Sequence, residues 1–232
     1  MTHAKIRPNL IGYEKKIHSQ NGEDGAIEAI FEDIGFASKI SVEFGIGPNF
    51  RDRAYSNGLE GNTVLLQKNG WRCEFWDVNE HPPEYNVRRE YISPHNVNAL
   101  IKKYDVENLD LISIDVDSVD FWIWAAFDYS PRVVVIEYNA NFIDYNAAFT
   151  IPNLRGHRWD STKYFGASYG ALKRLGRRKG YLPVCSNGVN VIFVLESAFS
   201  NHEDFADGDI YRSMNIHRHD PLNRPWVDVS SL

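Results

Sequence analysis

Cysteine is scarce in this 232-residue chain: the two present, Cys73 and Cys185, lie far apart and belong to no CxxC or Cys/His pattern. Their spacing argues against a disulfide framework and a structural zinc site, and predicts two buried free thiols. Long apolar runs are also missing. No stretch approaches the roughly 18 consecutive apolar residues that cross a bilayer. The opening MTHAKIRPNLIGYEKK lacks the uninterrupted apolar segment of a secretion signal, so a cytoplasmic location is expected. Nor is there an excess of positive charge. The 25 Lys and Arg against 31 Asp and Glu leave a formal net charge of −6. Such a balance offers no long-range attraction to phosphate backbones or anionic lipid, so neither nucleic acid nor a membrane is an expected partner. Repeats, low-complexity tracts and Ser/Gly linkers are absent too, and a single domain is expected.

The remaining composition is that of a globular protein: 43% hydrophobic and 24% charged residues, with a raised aromatic share of 13% that includes 6 Trp. Strand-like and helix-like segments alternate along it. Residues 21–34 place Ile27, Ile30, Phe31 and Ile34 on one helical face, with Gly35 as the stop. A short β-type run at 40–44 leads into EFGIGPN. A helix is then predicted over 57–69, ended by Gly70. Strands are predicted at 72–77, 87–92 and 109–114, helices at 97–104 and in VDFWIWAAF, and the strongest strand at 132–138, where the β-branched run RVVVIEY implies burial on both faces of a parallel sheet. A polar loop follows over 139–165. Next come a helix at 166–179 and two strands, 181–185 and 189–195, joined by a Ser-Asn-Gly turn. The expected organisation is an N-terminal helical cap (1–38), a Rossmann-like α/β core (40–195) and a surface tail (196–232). Five βα-type strands followed by an antiparallel hairpin fit the seven-stranded, mostly parallel sheet of class I methyltransferases, with helices on both faces, better than a plain dinucleotide-binding fold.

The acids cluster at predicted strand ends. In SVEFGIGPN, Glu43, Gly45 and Gly47 close the first strand, where glycines admit a ligand near the backbone. A carboxylate there suits the ammonium of a methionine moiety and repels a pyrophosphate, which favours S-adenosylmethionine over NAD. RCEFWDVNE ends the second strand on Asp77, placed to meet ribose hydroxyls. LDLISIDVDSVDFW sets Asp115, Asp117 and Asp120 beyond the fourth strand. Asp115 is the best catalytic candidate; Asp117 or Ser118 can cap the next helix and Asp120 can sit in its first turn. Glu137 and Asn139 end the fifth, so Asp115, Glu137 and Asn139 are expected to converge on a hard cation such as Mg2+ that would orient an acceptor hydroxyl. The loop LRGHRWDSTKYFGAS carries Arg155, His157, Arg158, Trp159 and Tyr164, a mixture suited to an anionic or sugar-like acceptor, with His157 as candidate general base. The basic run Lys173, Arg174, Arg177, Arg178 and Lys179 reads as a solvated helix end, and His217 and His219 as surface residues.

These segments together resemble the FkbM-like and related bacterial methyltransferases. The likeness runs from about Ser19 to Val194 and rests on SQNGED, VEFGIG, GNTVLLQKNGW, DLISIDVDSVDFW, PRVVVIEYNA, YFGAS and the closing KGY with its hairpin. It implies an S-adenosylmethionine-dependent O-methyltransferase acting on a small-molecule or glycan acceptor, often a sugar hydroxyl in carbohydrate biosynthesis, with Gln20 joining Glu43, Gly45, Gly47, Asp77 and Asp115 around the cofactor. A homodimer is compatible with that class. A looser similarity is to catechol-type, metal-dependent O-methyltransferases: Asp115 matches the first metal ligand of that type, whereas Glu-Tyr-Asn stands where the type has an adjacent Asp-Asn pair. Two other readings stand beside it. Asp115-Val116-Asp117 can be the DxD motif of a metal-dependent glycosyltransferase, or the chain can be a non-catalytic Rossmann-like binding protein.

Overall fold

The strongest predicted strand lies inside a seven-stranded sheet. In a computed structural model that describes residues 4–48, 58–156, 159–214 and 219–232, the strands are β1 (Ile40–Phe44), β2 (Arg72–Asp77), β3 (Val87–Arg89), β4 (Leu111–Ile114), β5 (Val133–Glu137), β6 (Tyr181–Ser186) and β7 (Asn190–Leu195). Their spatial order is β3-β2-β1-β4-β5-β7-β6. All neighbours are parallel except β7, which runs antiparallel to β5 on one side and β6 on the other. The terminal hairpin therefore enters the sheet with its second strand inside, and the fold is α/β with a mostly parallel mixed sheet.

Strand periodicity divides the core in two. Val42, Phe44, Trp76, Ile112, Ile114, Val134 and Ile136 pack on one face with α3 (Val97–Lys103), α4 (Asp120–Ala126) and α5 (Tyr169–Arg178). Their alternates Phe75, Leu111, Val133, Val135, Ile192 and Val194 pack on the other with α1 (Glu23–Ile34) and α2 (Val64–Lys68). Burial on both faces is what a continuous β-branched strand such as β5 requires. The expected N-terminal cap is thus one layer of the core, since Ala26, Ile27, Ile30 and Phe31 of α1 are buried against the sheet. Both cysteines are free and buried, as their spacing predicts.

Three elements differ from expectation. The helix predicted over 57–69 is only Val64–Lys68, because Leu59–Glu60 pairs with Gly47–Pro48 and the N–H groups of Asn62 and Thr63 are taken by the Glu43 side chain. The third strand stops at Arg89, since Ser93 turns toward Asn96, donating to its Oδ1 from both N and Oγ. The tail is tied down rather than draped: Val227–Asp228 pairs antiparallel with Phe149–Thr150 of the long loop after β5. Among the described residues, no helix is long and apolar enough to cross a membrane.

Candidate functional site

In this strand order the chain moves outward from β1 through β2 to β3, then returns to the other side of β1 with β4. A crevice opens at the carboxyl ends where the direction changes. It is a cleft of about 560 Å³ whose wall includes all six residues expected around a cofactor: Gln20, Glu43, Gly45, Gly47, Asp77 and Asp115. Glu137 and Asp117 also line it, with Asn21, Glu60, Asn62, Asn79, Glu80, His81, Trp159 and Asn190. An adjoining recess of about 470 Å³ shares Asp77, Asn79, Asp117 and Trp159, and continues between Val78, Tyr91, Ile92, Val116 and Val119. Seven carboxylic acids border the main cleft, and none of the described residues lining it is Lys or Arg.

Glu43 is a scaffold of the site more than a free anion. Its Oε1 accepts from Asn62 N at 2.7 Å, and its Oε2 from Thr63 N at 2.9 Å and Thr63 Oγ1 at 2.6 Å. These donors hold the turn before α2 against the end of β1, which gives the side chain a positioning role. Burial nevertheless outweighs the three donors and pushes the Glu43 carboxyl up to about 7. Gly45 is dictated by backbone contact: with φ at +75°, a Cβ there would lie 1.5 Å from the Asp115 carbonyl oxygen. The glycine turn therefore brings β1 and β4 close enough for their acids to share one cleft.

The neighbouring walls are fixed in the same way. Asp24 gathers the N–H groups of Ile17, His18 and Ser19 at 2.7–2.9 Å, setting the turn that presents Gln20. Glu23 Oε1 accepts from the amides of Asn187 at 2.6 Å and Asn190 at 2.7 Å, joining α1 to the start of β7. Asp77 Oδ1 takes the N–H of Asn79 at 2.5 Å and lies 3.6 Å from His81 Nε2.

The acids after β4 and β5 form a convergent carboxylate cluster. Asp115, Asp117 and Glu137 each bring one carboxylate oxygen to within 4.8 Å of the others. Removal from water raises the Asp115 carboxyl well above its usual range, and Asp117, Asp120 and Glu43 add repulsion. Glu137 is raised for the same reasons, chiefly burial and then Asp115, and among the described residues its Oε2 has no hydrogen-bond partner. Asp120 begins α4 and folds back onto the N–H groups of Val116 at 2.7 Å and Ser118 at 3.0 Å; burial still lifts it to about 6.

Asn139 does not join this group. Its Nδ2 donates to the carbonyls of Lys163 at 2.8 Å and Phe165 at 2.9 Å, and its Oδ1 accepts from Asn141, so the amide that was expected at a metal anchors the loop after β5. Asp117 takes its place beside Asp115 and Glu137 because a left-handed turn, φ +56°, folds the chain back after β4. His157, the candidate base, and Arg158 and His217 lie outside the described residues. Arg155 is exposed and Tyr164 is buried with its hydroxyl on Pro225 O, both away from the cleft wall. Lys173 is paired with Asp207 at 2.8 Å. Sequence reasoning missed Asn62, Asn79, His81 and Asn190; only their proximity to strand ends signals them.

No protein-family model matches the chain, and no curated protein matches it.

Proposed function

We propose that this chain is a class I, Rossmann-like methyltransferase that binds S-adenosylmethionine and methylates a hydroxyl of a small polar acceptor, such as a sugar, nucleotide sugar or glycan. The observation that carries the reading is a strand-end cleft lined by seven acids and, among the described residues, by no Lys or Arg. Such a wall repels a dinucleotide's pyrophosphate and attracts a ligand bearing sulfonium and ammonium charges. The sheet order with an inserted antiparallel β7 agrees with that class. Asp77 is suited to ribose hydroxyls, and the recess between Val78, Ile92, Val116 and Val119 to a purine.

The bound cofactor supplies an electrophilic methyl group. The chain must orient the acceptor oxygen and hold its proton. Asp115 takes that proton in this reading: burial and neighbouring acids raise its carboxyl well above the usual range, which strengthens it as a proton acceptor. Glu137, beside it, holds the hydroxyl in line. The same carboxylates fit a hard divalent cation such as Mg2+, since three oxygens converge and Glu137 Oε2 has no partner among the described residues. A cation there would lower the hydroxyl's pKa and offset the repulsion.

Titration calorimetry with S-adenosylmethionine and S-adenosylhomocysteine, with Mg2+ or with EDTA, tests the reading. Saturable binding supports it, and no binding at millimolar ligand refutes it. A second reading is favoured by one observation, that both acids of Asp115-Val116-Asp117 belong to the convergent set, as a metal-dependent glycosyltransferase would require. It predicts Mn2+- or Mg2+-dependent binding of a nucleotide sugar instead.

A further inference from the structure

The chain after β5 recrosses the carboxyl edge of the sheet and is pinned on both sides of the cleft. Near β3, the Gly156 N–H donates to the Tyr91 phenol oxygen at 3.0 Å. Near β4, the Gly166 N–H donates to Ser118 O at 3.1 Å. Between these pins Trp159 lines both the acid cleft and the apolar recess, at the neck they share with Asp77, Asn79 and Asp117. Its indole N–H donates to Thr162 O at 2.8 Å, and its ring meets Phe165 edge-on at 5.9 Å between centroids.

The residues that fix Trp159 are in turn gripped by the tail. Arg224 donates to Asp160 Oδ2 at 2.8 Å and to Thr162 Oγ1 at 2.9 Å. Asp220 orients that guanidinium by accepting from its Nε at 3.1 Å and its Nη2 at 3.0 Å. The guanidinium also lies 4.2 Å from the centre of the Tyr164 ring, whose hydroxyl donates to Pro225 O at 2.8 Å. A single exposed ion pair contributes little, but a forked Arg shared by two carboxylates and stacked on an aromatic ring is a defined geometry.

We propose that Trp159 is a ligand-contacting wall of the cleft, covering the nucleoside part of the bound molecule, and that the C-terminal tail positions it through Arg224. The identity of the ligand rests on the methyltransferase reading; the positioning does not. An indole at the neck between a carboxylate-lined chamber and an aliphatic recess presents a flat apolar surface where a ribose and its base would pass from one to the other. Arg224 lines a different hollow, with Asn141, Phe142 and Trp226, so its effect on the cleft must be transmitted through Asp160 and Thr162.

The test is a double-mutant cycle read by calorimetry with S-adenosylhomocysteine, each variant first checked by thermal melting. Trp159→Ala is expected to weaken binding about tenfold, the scale of a lost aromatic contact with a nucleoside, and Trp159→Phe much less. Arg224→Gln is expected to weaken binding about threefold, Arg224→Lys less, and Arg224→Gln should add nothing to Trp159→Ala. Additive losses would show that Arg224 does not act through Trp159, and unchanged affinity in Trp159→Ala would remove it from the wall. Acrylamide quenching keeps the positioning testable without ligand. The part of the fluorescence lost in Trp159→Phe should become more quenchable in Arg224→Gln, and unchanged quenching overturns the buttress. If the wild-type protein binds no S-adenosylhomocysteine, the cofactor reading and the ligand-contact role fail together while the quenching result still decides the positioning.

Discussion

Replacing Glu43 by Ala removes an acceptor from three largely buried donors at once: Glu43 is 4% exposed, and Asn62 N, Thr63 N and Thr63 Oγ1 all point at it. A buried donor left unsatisfied costs about 1–3 kcal/mol, so with some relaxation of the turn the loss should be about 3–6 kcal/mol. That is a large part of the roughly 5–15 kcal/mol that holds a domain folded. Glu43→Gln keeps one oxygen and should lose about half as much. Urea unfolding followed by tryptophan fluorescence measures this; with a slope of about 3 kcal/mol/M, the Ala midpoint should fall by about 1–2 M. A pH series adds a second, independent reading. The ordinary glutamate ionises near 4.5, whereas the folded group is held up to about 7. As pH rises through that window the unfolded chain sheds the proton first, so stability is fully present below the window, is lost across it and is flat above it. Glu43→Gln should flatten this part of the profile. A loss of under about 1 kcal/mol for Glu43→Ala would refute the claim that this side chain holds the turn before α2.

Three further outcomes are expected. Asp115→Asn or Glu137→Gln should abolish transfer yet raise the Tm of the ligand-free protein at pH 8 by about 2–4 °C, the response of a domain this size to about 1 kcal/mol. Both native carboxyls are raised, so the gain should vanish at low pH where they are protonated; a gain independent of pH would contradict the repulsion. Gly45→Ala should cost about 2–5 kcal/mol from its left-handed φ and the collision with Asp115 O, again by urea unfolding, and a near-neutral result would mean the turn can move. Asp77→Asn should weaken S-adenosylhomocysteine binding about tenfold by calorimetry while leaving Tm within about 2 °C, and an equal loss in Asp115→Asn would deny the two acids different roles.

Most strands were legible because β-branched runs on a doubly covered sheet leave few alternatives, and β1 and β2 begin and end where the periodicity says. Elements set by a distant side chain were not. Leu59, Val64, Leu65 and Leu66 have helical spacing, but a pattern along residues 57–69 carries no trace of a carboxylate from β1 capturing two of its N–H groups. Of the three metal candidates, Asp115 and Glu137 do converge, and Asn139 alone stands apart, for a related reason. Glu137 and Asn139 share a face only while a strand continues, and β5 ends at Glu137. Beyond it Tyr138 N bonds Val189 O and Asn139 N bonds Ala167 O, so Asn139 is drawn into the loop. Asp117, read as a cap, instead curls back to Asp115, because φ of +56° reverses the chain where spacing alone places it ahead in the next helix.

The acids of this protein differ in what surrounds them, and that difference separates scaffold from candidate site better than sequence position does. Asp24 accepts three backbone N–H groups, Asp110 accepts those of Ala37, Ser38 and Lys39, and Glu43 accepts two with a hydroxyl. Each of these carboxylates meets fixed donors in place of water on at least one oxygen; Asp110 and Glu43 thereby join segments distant in the chain, and Asp24 closes a local turn. At the ends of β4 and β5 the acids meet one another instead. Asp115, Asp117 and Glu137 converge at the cleft, and among the described residues Glu137 Oε2 has no hydrogen-bond donor. Like charges held this close destabilise a fold unless a proton or a cation is shared among them. Where the strand order opens a crevice the chain sets acids close to one another, and a positively charged ligand entering it would be stabilised by the same repulsion it relieves.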